Sequence, residues 1–237
     1  MIDVEFLSYK GFKEPKIVED SFNGMEIIYK RSSSNGLMIY LLYQDGDQWM
    51  CYEPINKKQV FEFYSHWNLA QGHCICTGMG FLLRESWLLS KKEVTKITVI
   101  EKNQNIIDYH WKHNPEIMKH LEVVRMDVYD YRGSCDTLLI DNFEGAVHLE
   151  IMLLKSVKQI CGNINHKTMW FWPFELVLKN HYKNFLRLTL SEIYEKYRKY
   201  YGLNTLPDLS EDKLYDFCYA FSNGNMERCD FNKVTME

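Results

Sequence analysis

Between His73 and Gly145 the sequence carries a glycine pair and a series of carboxylates whose spacing could hold a nucleoside. The apolar run Cys74-Ile75-Cys76 breaks into Thr77-Gly78-Met79-Gly80, and a helix-like run follows. A loop that approaches a ligand closely needs glycine, because a side chain would intrude. The helix after it would add outward-pointing N–H groups. Glycine between a strand and a helix also arises for steric reasons alone. The segment from Val94 ends on Glu101, about 20 residues beyond the turn, which is where a carboxylate accepts from ribose hydroxyls in dinucleotide-type folds. A solvated Glu capping the next helix would leave the same pattern. Two more strand-like segments, Val123 to Asp127 and Asp136 to Asp141, also end on carboxylates.

These residues need elements to position them. Met25 to Lys30, Leu37 to Tyr43 and Gln48 to Tyr52 read as a three-stranded meander with turns at Arg31 to Gly36 and Gln44 to Asp47. Such a meander is too small to be stable alone. Lys57 to Ala70 has a helical apolar face through Val60, Phe61, Phe63, Tyr64 and Trp67. Helices are expected over Phe81 to Ser90, Asn105 to Lys112 and Ala146 to Ile160, with a strand at Thr168 to Phe174. This alternation predicts an α/β, Rossmann-like doubly wound sheet, mostly parallel, with helices on both faces. Beyond residue 180 one long helix is expected from Asn184 to Tyr201 and a last short one from Glu211 to Phe221. The expected organisation is a β-rich subdomain at 1–56, a cofactor-binding core at 57–180 and a helical extension at 181–237.

Composition excludes several classes. The 237 residues carry 28 Lys plus Arg against 32 Asp plus Glu, so there is no strong nucleic-acid signal. No apolar run approaches the roughly 20 residues that span a bilayer, so no membrane partner is expected. Seven cysteines, an odd count, predict reduced thiols and a cytoplasmic location. Met1 to Phe6 lacks the basic start and apolar stretch of a signal peptide. Cys74 and Cys76 point to one face of a strand, where packing is the simpler role. His110 and His113 share a helical face with no third ligand near in sequence, so no metal is expected. The 16 Tyr, 13 Phe and 6 Trp suit a core or a small-molecule cleft, and exposed ones lead to the expectation of a homodimer. Met169 to Phe174 reads as a buried fifth strand with one or two rings reaching the cleft mouth.

Ile97 to Asn103, Val124 to Asp130 and Cys135 to Asp141, taken in order, resemble the class I S-adenosylmethionine-dependent methyltransferases, and among them the spermidine-synthase-like branch. The resemblance covers roughly residues 58–172. It implies S-adenosylmethionine as cofactor, with Gly78 and Gly80 facing its methionine part and Glu101 holding the ribose. It places Lys102 near the adenine, Asp127 on the adenine amino group, and Met126 and Val128 beside the ring. Asp141 would lie at the reacting centre. Cys76 stands where that family has its first motif glycine, and the usual acidic start is replaced around Cys74. The aminopropyltransferase loop signatures are missing, as is the Asn-Pro-Pro-aromatic motif of amino-methylating nucleic-acid enzymes.

What this implies is methyl transfer to a small-molecule or protein substrate. Asp141 is the first candidate base, followed by Glu144, His66 and Tyr64. Core packing is the plainer role for His66 and Tyr64. Two other readings stay open: a catalytically degenerate binding or assembly module, and another S-adenosylmethionine-using transferase of aminopropyl type.

Overall fold

The structure is a computed structural model and describes residues 13–22, 25–32, 36–43, 48–52, 62–141, 150–184 and 188–222. The described residues form two sheets. The first is antiparallel, with β1 (Asp20–Phe22), β2 (Met25–Ser32), β3 (Gly36–Tyr43) and β4 (Gln48–Tyr52) in sequential order. It contains the three expected strands and adds β1, which is too short to carry a pattern. Both turns of the meander fall wholly or partly outside the described residues.

The second sheet is parallel throughout. It contains β5 (Gly72–Thr77), β6 (Val94–Glu101), β7 (Glu122–Arg125), β8 (Gly133–Ile140) and β9 (Ile164–Phe171), in the order β7-β6-β5-β8-β9. Helices flank it: α1 (Tyr64–Leu69), α2 (Leu83–Leu88), α3 (Gln104–His113), α4 (Pro115–Met118), α5 (Glu150–Asn163), α6 (Phe174–Asn184), α7 (Leu190–Tyr201) and α8 (Glu211–Phe221). This is a Rossmann-like α/β fold whose strand order reverses at β5. Buried on both faces, the central strands read as nearly continuous apolar runs, such as the fully buried Cys74-Ile75-Cys76 and Leu138-Leu139-Ile140.

Several boundaries differ from the sequence reading, each for a local reason. The helix expected from Phe81 begins at Leu83, because Leu82 is left-handed at φ 62° and still belongs to the turn. The strand expected to reach Phe174 ends at Phe171; Pro173 cannot donate to a ladder, and Phe174 opens α6. The helix expected from Asn184 begins at Leu190, and Asn184 instead closes α6. Thr189 starts α7 with a capping box: its hydroxyl accepts from the Glu192 N–H, and the Glu192 carboxylate accepts from the Thr189 N–H. Residues 57–61 and 146–149 of two expected helices lie outside the described residues.

The C-terminal helices are anchored on β9. Trp170, fully buried, packs against Phe174, Tyr194 and Phe217, joining α6, α7 and α8 to the sheet. The loop after α7 also meets β9. The Met169 N–H donates to the Thr205 carbonyl at 3.1 Å, and the Thr205 hydroxyl donates to His166 Nε2 at 2.7 Å. Among the described residues no helix is long and apolar enough to cross a membrane.

Candidate functional site

In an open parallel sheet a ligand crevice forms outside the carboxyl ends of the strands, where their order reverses. Here that place is the end of β5, between β6 and β8, and the chain leaves β5 through Gly78 (φ 71°) and Gly80 (φ 50°). Both glycines occupy left-handed backbone that other residues resist. The turn is held from beneath. The Gly78 N–H donates to the Ile100 carbonyl at 2.9 Å, and the Leu82 N–H donates to the Met79 carbonyl at 3.0 Å.

Glu101, at the end of β6, is 5% exposed and faces this turn. Its Oε2 accepts from the Met79 N–H at 2.9 Å and its Oε1 from the Asn103 N–H at 2.7 Å. Burial outweighs these bonds and keeps its carboxyl above the ordinary Glu value. Lys102 follows it, exposed. The end of β7 is tied alongside, the Met126 N–H donating to the Glu101 carbonyl at 3.2 Å. Asp127 lies past the strand end, and its carboxylate accepts from the Tyr129 N–H at 3.0 Å. Met126 is exposed and Val128 buried. The elements thus bring Gly78, Gly80, Glu101, Lys102, Met126, Asp127 and Val128 to one edge. Cys76 lies inside β5, fully buried, and burial holds its thiol well above the ordinary value.

On the other side of β5 stands a cluster that strand-end reasoning missed. Arg84, 3% exposed, grips Glu85 Oε1 through Nε at 2.9 Å and Nη2 at 2.5 Å. The same Nη2 donates to the carbonyls of Thr77 at 3.2 Å and Gly78 at 2.7 Å. Its Nη1 lies 3.8 Å from the Asp141 carboxylate with no hydrogen-bond partner among the described residues. The signal was present in the sequence as an Arg-Glu pair set inside the apolar run Phe81 to Leu89.

Asp141, one residue past β8, is docked by its own N–H, which donates to Thr77 Oγ1 at 2.9 Å. Burial raises its carboxyl to about 6, against the pull of Arg84. Glu62, at the entry to α1, is raised to about 7 by burial and by the nearby Asp141 charge. The Trp172 indole is close enough to temper that rise, although its N–H has no acceptor in hydrogen-bonding geometry among the described residues. Glu175 is also raised by burial to about 7, and accepts from the Ser65 hydroxyl and, at 2.8 Å, from the Trp170 N–H. Carboxyls held near neutrality can accept and return a proton at working pH.

Tyr64 and His66 are two residues apart on α1 and so leave the helix on nearly opposite faces. His66 is fully buried, neither ring nitrogen has a hydrogen-bond partner among the described residues, and burial with the nearby Arg84 charge pushes its pKa well below the ordinary value. Tyr64 packs edge-on against Phe217 in the C-terminal helical layer. The geometry therefore places His66 by the Arg84 cluster and Tyr64 away from it. Glu144 lies outside the described residues.

No family model and no curated protein matches this sequence. Among solved structures, the spermidine synthase of Thermotoga maritima is 16% identical over 66% of this chain and 55% of its own, with a TM-score of 0.39. A spermidine synthase in complex with the transition-state analogue AdoDATO gives the same values. The Arabidopsis thaliana protein arginine methyltransferase 10 is 12% identical over 61% of this chain and 52% of its own, with a TM-score of 0.38. The chain thus spans about half the length of these solved structures.

Proposed function

We propose that the protein binds S-adenosylmethionine at the end of β5 and transfers its methyl group to a small-molecule or protein substrate. The observation that carries this reading is the convergence of a left-handed glycine turn, Glu101, Asp127 and Asp141 at the point where the strand order reverses. The residues fit such a cofactor. Each Glu101 oxygen accepts one backbone N–H, and a carboxylate has about four acceptor sites, so both ribose hydroxyls can still be held. Gly78 and Gly80 give the methionine part close approach, while Met126, Asp127 and Val128 frame the adenine beside Lys102.

S-adenosylmethionine, when bound, supplies a methyl group on a sulfonium, already activated toward a nucleophile. The protein's share is to align the acceptor, a contribution of roughly 7–11 kcal/mol at best, and to take its proton. In this reading Asp141 takes that proton, with Glu144 and His66 as the other candidates.

A second reading, a module that has lost strong cofactor affinity, is favoured by one observation. The N–H groups of Gly78 and Met79 are already used inside the turn, and Cys76 replaces a glycine before it. Calorimetry with S-adenosylmethionine and S-adenosylhomocysteine separates the two. Wild-type protein should bind both, and Glu101→Gln should weaken binding about tenfold or more, the loss of one or two charge-assisted bonds. No heat at millimolar ligand would sink the enzyme reading. Undiminished binding by Glu101→Gln would sink the ribose placement.

A further inference from the structure

Residues 13–20 lead into β1, which begins at Asp20, and residues 13–19 carry no assigned helix or strand. Side chains from other elements hold the backbone of Lys16 and Val18. Asn114 Oδ1 accepts from the Lys16 N–H at 2.6 Å, and Asn114 Nδ2 donates to the Lys16 carbonyl at 2.9 Å. Two residues on, the Tyr109 hydroxyl accepts from the Val18 N–H at 2.7 Å and donates to the Val18 carbonyl at 3.0 Å. A spacing of two places both residues on one edge of an extended chain, leaving the alternate residues to face the other way. Accordingly Pro15 is buried and Ile17 packs on the core. The Ser86 hydroxyl on α2 donates to the Lys13 carbonyl, and Asp20 pairs with Lys112 at 2.7 Å and His113 at 2.8 Å. The segment is strapped across α2 and α3, the helices that leave the glycine turn and follow Glu101.

Asn114 does more than hold the strap. It is 5% exposed, and its second Nδ2 hydrogen reaches His110 Nδ1 at 3.2 Å. His110 is 1% exposed, and its Nε2 lies 2.7 Å from the Gly80 carbonyl. A carbonyl only accepts, so His110 carries its proton on Nε2 and Nδ1 accepts from Asn114. Burial lowers the pKa of His110 to about 4, which keeps the ring neutral. The orientation of the Asn114 amide therefore selects the tautomer. Turned over, its Oδ1 would face Nδ1, favour the Nδ1–H form and set a lone pair of Nε2 against the Gly80 oxygen. What holds the amide the right way round is the strap, because the Lys16 N–H requires Oδ1 and the Lys16 carbonyl requires Nδ2.

From this we infer that residues 13–20 set the glycine turn through Asn114 and His110, two positioning residues, so that strap docking and occupancy of the turn are linked. The part about occupancy rests on the cofactor reading above; the link from strap to turn does not. Linkage of this kind is reciprocal: whatever favours one event favours the other equally.

The test is made on the full chain without ligand, reading the His110 tautomer from its ring nitrogen resonances. Wild-type protein should show the Nε2–H form alone. Asn114→Ala should admit the Nδ1–H form and speed amide exchange at Phe81 and Leu82 about tenfold. Lys16→Pro removes a donor from the exposed strap and leaves the core untouched, so it reports even if Asn114→Ala does not fold; it should shift the tautomer in the same direction. Tyr109→Phe, which frees Val18 but leaves the Asn114 contact, should leave the tautomer unchanged. A wild-type Nδ1–H form, or an Nε2–H form that persists in both Asn114→Ala and Lys16→Pro, would overturn the link. S-adenosylhomocysteine should then slow exchange of the Lys16 and Val18 amides in wild-type protein. Binding without that protection would overturn the link to occupancy. Absence of binding would remove the cofactor reading, while the tautomer result still decides between strap and turn.

Discussion

Glu175 shows how strongly a single side chain can depend on its surroundings here. It is 1% exposed, one oxygen is held by Ser65 and Trp170, and the other has no partner among the described residues. Its pKa rises from 4.5 to about 7, so between those values the folded state keeps a proton that the unfolded state has released. That contribution to stability is complete below about 4.5 and is lost as pH rises through about 7. Glu175→Gln removes the titration. The variant should gain about 1–3 kcal/mol on wild type at pH 8 relative to pH 5, measured by urea unfolding at both. An equal difference at the two pH values would show that Glu175 does not titrate in this range. His110 acts in the opposite sense. Its folded value of about 4 lies below the ordinary 6.5, so its contribution is complete above 6.5 and is lost as pH falls toward 4.

Among the elements, β5 is the one on which the site depends, and it begins at a constrained residue. Gly72 has φ 63°, and a Cβ there would lie 2.2 Å from Asp136 Oδ2, the oxygen that accepts from the His73 N–H. Gly202, which ends α7, has a similar φ of 66° with open space around it. Gly202→Ala should therefore cost about 1 kcal/mol, the left-handed penalty alone, and Gly72→Ala roughly 2 kcal/mol or more. Thermal unfolding of both, with Asp136→Ala added to each, checks the argument: the second change should relieve Gly72→Ala in part and leave Gly202→Ala unaffected. The later halves of β6 and β8 were legible in the sequence because the buried part of a parallel strand is largely apolar. The turn was legible because left-handed backbone demands glycine, and Glu101 because it closes a strand at a readable distance from that turn. Arg84, Glu62 and Glu175 were not, since charges inside apolar runs acquire meaning only when distant segments enclose them. The strap at 13–20 was not legible either, because what holds Lys16 and Val18 is Asn114 and Tyr109, more than 90 residues away in the chain. Helix limits at Leu83 and Leu190 were set by Leu82 and Thr189, local conformations that the apolar pattern ran straight across.

At the scale of the whole molecule, α6, α7 and α8 share a core with the sheet. Phe217 is 1% exposed and meets Trp170 edge-on at 5.3 Å and Tyr64 at 5.7 Å, so α8, β9 and α1 are packed through one ring. Phe217→Ala should lower stability by about 3–5 kcal/mol. The C-terminal helices should melt together with the sheet, tryptophan fluorescence and far-ultraviolet dichroism following one transition. Two separate transitions would show the helices to be an independent unit. The contact between Thr205 and Met169 then acquires a further meaning. A sheet that stops at β9 presents an open row of backbone donors and acceptors, a template on which another chain could add a strand. By occupying the Met169 N–H and engaging His166, the loop after α7 blunts that edge. The same short connection that joins two helices thereby protects the protein against edge-to-edge aggregation.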